Sequence, residues 1–260
     1  MTVARKWTKF PHADKAYDYA GAALKSAWPR LHKGDREAYP KDAAIADAWR
    51  HFHAGAFQQA VEAGRAAGGA GLHAAVKAQC VYAHYLERDA KARLALFEEA
   101  AGWGEQCRAA ARKDSNAHYL YAYALGRWGQ GLSVVKALAQ GFGGKIKEAL
   151  TTALELDAKH AEAAVAFGTY QSEVIEKVGA LVGGLTYGAK KESALAYFEQ
   201  AMKLFPESAI IRIEYANGLI RLFGKSRLDD ATKLYEAAAA ARPHDAMERL
   251  DVEHAKEELR

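Results

Sequence analysis

The sequence predicts an all-α protein, a right-handed superhelical array of helix–turn–helix repeats with lengthened hairpins. Three observations predict it. A small residue, a bulky apolar residue and an alanine recur at helical spacing, most clearly in Ala194–Pro206 and again in Ala231–Pro243. Alanine is abundant and only five of 260 residues are proline, which favours helices because proline breaks them and alanine forms them best. No run alternates apolar and polar residues over the length of a strand.

The repeat unit is a pair of helices, because marker alanines at the ends of predicted second helices recur roughly every 40 residues. These markers are Ala27, Ala67, Ala110, Ala153, Ala201 and Ala238. A pair of this size must bury its apolar faces against its neighbours to be stable. We therefore expect about five pairs, with a core that includes Phe198, Leu204, Tyr235, Leu150 and Leu154.

The elements follow in order along the chain. Helices are predicted over 13–31, 42–54, 56–67, 72–86, 89–113, 116–139, 145–156, 161–181, 191–204, 209–223, 228–242 and 245–258. Glycines at several of the boundaries suit helix ends, since glycine adopts positive φ without steric cost. The charged last helix suits a cap whose outer face meets water. The predicted organisation is an N-terminal helix and polar connection (1–41), the repeat array (42–242) and a C-terminal capping helix (243–260).

Glycine-rich loops interrupt the third and fourth pairs. The segments 141–145 and 183–188 each follow a lengthened first helix, so we expect the two loops to lie side by side on one edge of the array. The first is not a phosphate-binding loop, because Ala139 and Ile146 stand where that loop requires glycine and a Ser or Thr.

Composition limits the class of protein. The formal net charge of +4 is too mild to indicate a nucleic-acid partner, and two cysteines are too few for a disulfide framework. The first seven residues do not form a secretory signal. The longest uncharged stretch, 178–189, is shorter than the roughly 20 residues that span a bilayer. We expect a soluble, cytoplasmic protein without membrane insertion.

The candidate chemical groups do not form a catalytic or metal-binding pattern. His51 and His53 are two residues apart, so on a helix they point to different faces. His73, His84, His118 and His160 each stand without a neighbouring ligand set of suitable spacing. No nucleophile and base are paired in sequence. The prediction is therefore a protein that is not an enzyme and has no metal and no cofactor.

The repeat pattern resembles the tetratricopeptide (TPR) family. Its small, aromatic, alanine and proline positions are filled in the fourth pair by Gly168, Ala194, Phe198, Ala201 and Pro206. The fifth pair matches equally well, whereas the matches before residue 116 are weak. The resemblance implies an all-α scaffold that binds other molecules.

A narrower resemblance covers about 94–243, through Ala117–Ala122, Gly144–Leu150 and Glu192–Phe198. These segments are similar to the regulator-of-microtubule-dynamics family and to the TatT proteins that accompany bacterial TRAP transporters. That likeness implies a ligand or partner surface and no reaction. TatT-type proteins are lipid-anchored in the periplasm; this chain lacks the anchoring cysteine, so that location is not expected.

TPR family spacing also implies which residues face the concave side of the array. The candidates are Trp49, Phe52, Tyr119, Tyr123, Thr169 and Asn217, and the aromatic ones would suit an apolar anchor. The alternative is that the protein's own helices fill the groove and the aromatic side chains are core. Two functions follow: a scaffold that binds a protein or peptide through an open groove, or a small-molecule component with a closed apolar cavity between the third and fourth pairs.

Overall fold

The computed structural model describes residues 7–260, which contain helices and no strand. The helices are α1 (Ala22–Leu31), α2 (Ala43–His53), α3 (Phe57–Ala67), α4 (Gly71–Tyr85), α5 (Ala90–Ala110), α6 (Ser115–Gln130), α7 (Val134–Ala139), α8 (Phe142–Leu156), α9 (Ala161–Val178), α10 (Ala180–Val182), α11 (Lys191–Leu204), α12 (Ala209–Phe223), α13 (Leu228–Ala239) and α14 (Ala246–Glu258). A π-helical turn, Gly183–Tyr187, follows α10. The predicted fold class is confirmed. Residues 1–6, part of the predicted N-terminal region, lie outside the described range.

Side chains at the helix starts explain several of the boundaries. The Asp42 carboxylate accepts a hydrogen bond from the Ala44 amide at 2.8 Å, and Asp114 accepts from the amides of Asn116 and Ala117. These contacts satisfy amides that have no partner inside the helix. His160 performs the same role for α9, because its Nδ1 accepts from the Ala163 amide at 3.0 Å.

Five helix pairs form the array: α2 with α3, α4 with α5, α6 with α8, α9 with α11, and α12 with α13. Each pair packs on the next. This packing is required because a single repeat cannot bury its apolar faces by itself. The helix α7 lengthens the third hairpin, and α10 with the π-helical turn lengthens the fourth. Helix α14 packs on α12 and α13 and also contacts α2. It therefore crosses the concave side of the array instead of only covering its last pair.

Small residues let neighbouring pairs approach closely around Phe198, which has no exposed surface. A Cβ atom at Gly218 would lie 2.3 Å from Phe198 Cε2, and one at Gly168 would lie 2.9 Å from Cε1. The ring also stacks on Tyr215, with centroids 5.1 Å apart. The glycines of α9 and α12 thus make room for one aromatic side chain of α11.

Most predicted core residues are in the core. Phe198, Leu150 and Tyr235 are buried, whereas Leu154 and Leu204 are only partly buried at its margin.

The marker alanines are contact points only in the C-terminal half. Ala153, Ala201 and Ala238 have no exposed surface, but Ala27 and Ala67 are half-buried and Ala110 is exposed. The repeat predicts that every marker alanine is a contact point between pairs. This is wrong for Ala110, because it lies nearly two turns of α5 past the closest contact of that helix with α6. That close contact falls at Gly104, where a Cβ would lie 2.8 Å from the Tyr121 Cα.

Several helix boundaries differ from the prediction. The first helix begins at Ala22 and not at residue 13, because Gly21 adopts φ 58° ahead of it. The predicted helix 116–139 stops at Gln130, and Ser133 starts α7 by accepting a hydrogen bond from the Lys136 amide. Most of the predicted loop 141–145 is helical, since α8 begins at Phe142 directly after Gly141.

Candidate functional site

A cavity of about 110 Å³ lies on the concave side of the array. The first helices of the second to fifth pairs (α4, α6, α9 and α12) line it, together with α8 and α14. Its lining is mainly apolar and aromatic and includes Val81, Tyr85, Tyr119, Tyr123, Ile146, Leu150, Val165, Tyr170 and Met247. The cavity therefore touches helices of the second to fifth pairs.

Three of the predicted groove residues line this cavity: Tyr119, Tyr123 and Thr169. The two tyrosine rings are nearly parallel, with an interplanar angle of 16° and centroids 5.9 Å apart. They are four residues apart on α6, so one helix face presents both. Thr169 Oγ1 donates to Glu214 Oε2 at 3.2 Å, which ties α9 to α12 at the cavity wall.

The other predicted groove residues lie elsewhere. Trp49 and Phe52 are each 1% exposed, so neither ring presents surface to a ligand in this conformation. They lie in the core because α1 and α14 cover the concave face of the first pair: the Trp28 ring of α1 meets Trp49 edge to face, and α14 contacts α2. Asn217 lines a more polar cavity of about 370 Å³ beside the first one and accepts a hydrogen bond from the Tyr235 hydroxyl.

A buried ion cluster forms the polar end of the cavity that Tyr119 and Tyr123 line. Lys77 Nζ of α4 lies 2.6 Å from Asp35 Oδ2 and 2.9 Å from Glu162 Oε2. Burial alone would lower the pKa of Lys77, but the two carboxylates outweigh it and raise that pKa. Burial opposes ionisation of Asp35, yet Lys77 and His32 hold its pKa well below the ordinary value. Burial raises the pKa of Glu162. The lysine is therefore charged, with Asp35 as its ionised partner.

The ion cluster continues through two histidines to the start of α14. Asp35 accepts from His32 Nδ1 at 2.9 Å, and Asp245 accepts from His53 Nδ1 at 2.7 Å. The Nε2 atoms of the two rings are 3.2 Å apart. Burial lowers the pKa of His53, although its hydrogen bond to the Asp245 carboxylate opposes the shift.

A second polar chain lies beside the first. Glu37 accepts from Asn116 Nδ2 at 2.7 Å and contacts His73 Nδ1 at 3.0 Å. His160 Nε2 lies 3.0 Å from Asn116 Oδ1. Together these two series of polar contacts attach the segment that follows α1 to three helices, α4, α6 and α9. Several elements therefore hold the polar end of the cavity in place.

The cavity wall contains one hydroxyl without a partner. Tyr170 is 7% exposed and its hydroxyl oxygen makes no hydrogen bond. Other polar groups of the wall are paired: Arg127 with Glu214 at 3.1 Å and the Tyr85 hydroxyl with Asp251 at 2.6 Å. Burial raises the pKa of Asp251 well above its ordinary value. A buried hydroxyl without a partner is costly, so Tyr170 is an unpaired polar group of the cavity wall.

Comparison with known proteins places the chain in a family. The family described as regulator of microtubule dynamics protein 1-3 matches residues 70–260. The chain belongs to this family. Among solved structures, it is similar to a thermophilic TPR protein of Thermus thermophilus, with a TM-score of 0.56 and 16% identity over 82% of this chain and 97% of that one. No curated protein sequence matches. The resemblance to TatT-type proteins remains a prediction.

Membership of the regulator-of-microtubule-dynamics family and the TPR-like fold define a general class. Such a helical repeat is in general a protein-interaction scaffold and typically has no catalytic role. No helix within residues 7–260 is long and apolar enough to cross a membrane. Over the same range, no three His, Cys, Asp or Glu side chains are grouped so as to hold a metal ion.

In this family member, sequence reasoning missed the ion cluster. It treated His73 and His160 as isolated, yet both belong to the buried chains. It did not single out Lys77, although that lysine lies in the middle of a helix whose other residues from 73 to 83 are buried. A lysine inside so apolar a helix needs a buried acidic partner, and this was the available signal.

Proposed function

We propose that the chain is a non-catalytic binding protein that holds an apolar small molecule in the aromatic cavity on the concave side of the array. The observation that carries the proposal is an aromatic cavity with a buried, unpartnered hydroxyl at Tyr170. Binding cavities are mostly apolar with a few placed polar groups. Helix α14 already occupies part of the concave side, which leaves less room for an extended peptide and favours a compact ligand.

Gly126 offers a direct test because it lines the cavity and a Cβ there would meet no atom within 4 Å. Gly126→Leu should fill the cavity without disturbing its wall and should favour the helix. We expect it to weaken binding of the fluorescent apolar probe N-phenyl-1-naphthylamine about tenfold or more. The matched control is Gly102→Leu on α5, another helical glycine with open space around its Cβ, which should leave probe binding unchanged.

Native mass spectrometry of freshly purified protein completes this test. A retained small molecule that Gly126→Leu loses would support the proposal. If the wild type and both glycine variants bound the probe with equal affinity, the probe would bind outside the cavity, and this result would contradict the proposal.

A second candidate function is the binding of a protein or peptide at the open part of the concave face. It is favoured by the polar cavity that contains Asn217 and Arg221, where the Arg221 Nη1 atom is buried without a partner. A guanidinium nitrogen in that position would suit a carboxylate of a bound peptide. A photo-crosslinker at position 217 should then label a discrete polypeptide, and Gly126→Leu should not affect the labelling.

A further inference from the structure

Exposed hydrophobic side chains are concentrated on the ends of the two lengthened hairpins. We call residues 131–147 and 178–191 the hairpin tips. Within residues 7–260, eleven large hydrophobic side chains are exposed, and six of them lie on the tips. Val135, Leu181 and Leu185 are the most exposed, at 76%, 76% and 82%. Single exposed leucines are ordinary, but a cluster of this kind marks an interaction surface.

The two tips form one surface because they pack against each other. A Cβ atom at Gly143 would lie 2.6 Å from the Tyr187 ring, so the aromatic side chain of the second tip rests on the backbone of the first. Both tips also line a shared cleft of about 90 Å³, with Leu138 and Phe142 on one side and Val178 on the other. The apolar side chains of both tips are therefore presented together.

The charge of the tips has one sign. Their charged residues are Lys136, Lys145, Lys147, Lys190 and Lys191, with no aspartate or glutamate, whereas the whole chain has 36 basic and 32 acidic residues. Lys191 donates to the Leu222 carbonyl. The other four lysines are exposed and make no ion pair with any residue from 7 to 260. Their charges are available to an external partner.

We propose that the hairpin tips dock on an anionic lipid surface. The aliphatic side chains of the tips would enter the boundary below the headgroups, and the lysines would lie among the lipid phosphates, as in other peripheral attachments. Two observations favour lipid over a protein partner. Lysine is depleted in protein interfaces, and the exposed large side chains of the tips include no aromatic residue or arginine, the usual anchors of such interfaces. The proposal is independent of the occupant of the cavity.

Co-sedimentation with vesicles tests the proposal. The full chain should sediment with vesicles of phosphatidylcholine containing about a third phosphatidylserine and far less with phosphatidylcholine alone, and added salt should weaken binding. Leu181→Asp with Leu185→Asp should reduce binding about tenfold or more, and Lys136→Gln about fivefold. The matched control is Leu228→Asp, which changes a 50% exposed leucine away from the tips and should leave sedimentation unchanged.

Three outcomes would overturn the proposal. The first is equal sedimentation with neutral and anionic vesicles, and the second is equal loss in the Leu228→Asp control. The third is no sedimentation with either vesicle at physiological salt. If the protein also bound a polyglutamate resin in that case, and this binding required Lys136 and Lys145, the hairpin tips would be interpreted as a binding surface for an acidic protein. Circular dichroism of each variant checks that the helices remain folded.

Discussion

Lys77 should be among the most important single residues for stability, and Lys77→Met tests this. Its ammonium group is the shared partner of Asp35 and Glu162, and the three side chains are between 2% and 11% exposed. Methionine keeps the length and most of the apolar volume of lysine but removes the charge. The substitution therefore isolates the electrostatic contribution from packing.

The expected loss follows from what remains after Lys77 is removed. Breaking a buried ion pair by removing one partner costs about 3–5 kcal/mol. Two carboxylates lose their cation here, but Asp35 keeps its contact with His32 at 2.9 Å, so the value for one pair is the appropriate magnitude. Domains of ordinary stability have an unfolding free energy of about 5–15 kcal/mol. The variant should therefore lose a large share of its stability.

The loss should depend on pH. Burial already raises the pKa of Glu162, and removal of Lys77 would raise it further. The folded variant then binds a proton that the unfolded chain releases, so its stability falls as pH rises from the unfolded pKa to the folded one. Urea unfolding followed by circular dichroism should show a smaller deficit at about pH 5.5 than at about pH 8.

The control is Lys256→Met, the same substitution in an exposed ion pair. Lys256 lies 2.9 Å from Glu253, and its side chain is 42% exposed, so the loss should stay below about 1 kcal/mol. A loss of that small size in Lys77→Met, or a deficit that does not change with pH, would refute the role given to the ion cluster.

Three further predictions concern packing, acid stability and thiol reactivity. Phe198→Ala should lower the free energy of unfolding by about 3–5 kcal/mol. Gly218→Ala should lower it by about 1–3 kcal/mol, because the added methyl group would lie 2.3 Å from the Phe198 ring. If either variant unfolded at the same temperature as the wild type, the packing described here would be contradicted. Burial lowers the pKa of His160 to about 4, so the folded state binds fewer protons than the unfolded one, and stability should fall by about 3 kcal/mol from pH 6.5 to about pH 4. His160→Asn, which can keep the helix cap, should lose that part of the pH dependence in urea titrations; a profile identical to wild type would count against it. Burial raises the pKa of Cys80 and of Cys107 to about 12, so Ellman's reagent should label both only after unfolding, and rapid labelling of the native protein would show that they are accessible.

The fold could be predicted where short-range patterns are complete. The small, aromatic and alanine positions around Phe198 and Tyr235 lie within one helix, and both residues are buried. The pattern failed at Ala110 because the length of α5, and not the marker spacing, decides which of its residues meets α6. The glycine content also gave a wrong prediction in one place. The segment 141–145 is glycine-rich, yet its last four residues form the first turn of α8, and only Gly141, directly before that helix, has a positive φ, of 68°.

The site could be predicted only in part, for the same reason. Tyr119 and Tyr123 lie together because four residues separate them on one helix, whereas Trp49 is covered by elements far away in sequence. Lys77 is 42 residues from Asp35 and 85 from Glu162. No local periodicity relates such residues, so only the three-dimensional arrangement of the pairs reveals the ion cluster.

Contacts between the two ends of the chain distinguish this protein from an open stack of repeats. The Tyr19 hydroxyl donates to the His244 carbonyl across 225 positions, and His53 meets Asp245 across 192. In an open stack, repeats can be added or deleted with local effects; here either change would pull apart partners at opposite termini. During synthesis, His53 must also wait until α14 has left the ribosome, because its partner Asp245 is made 192 residues later.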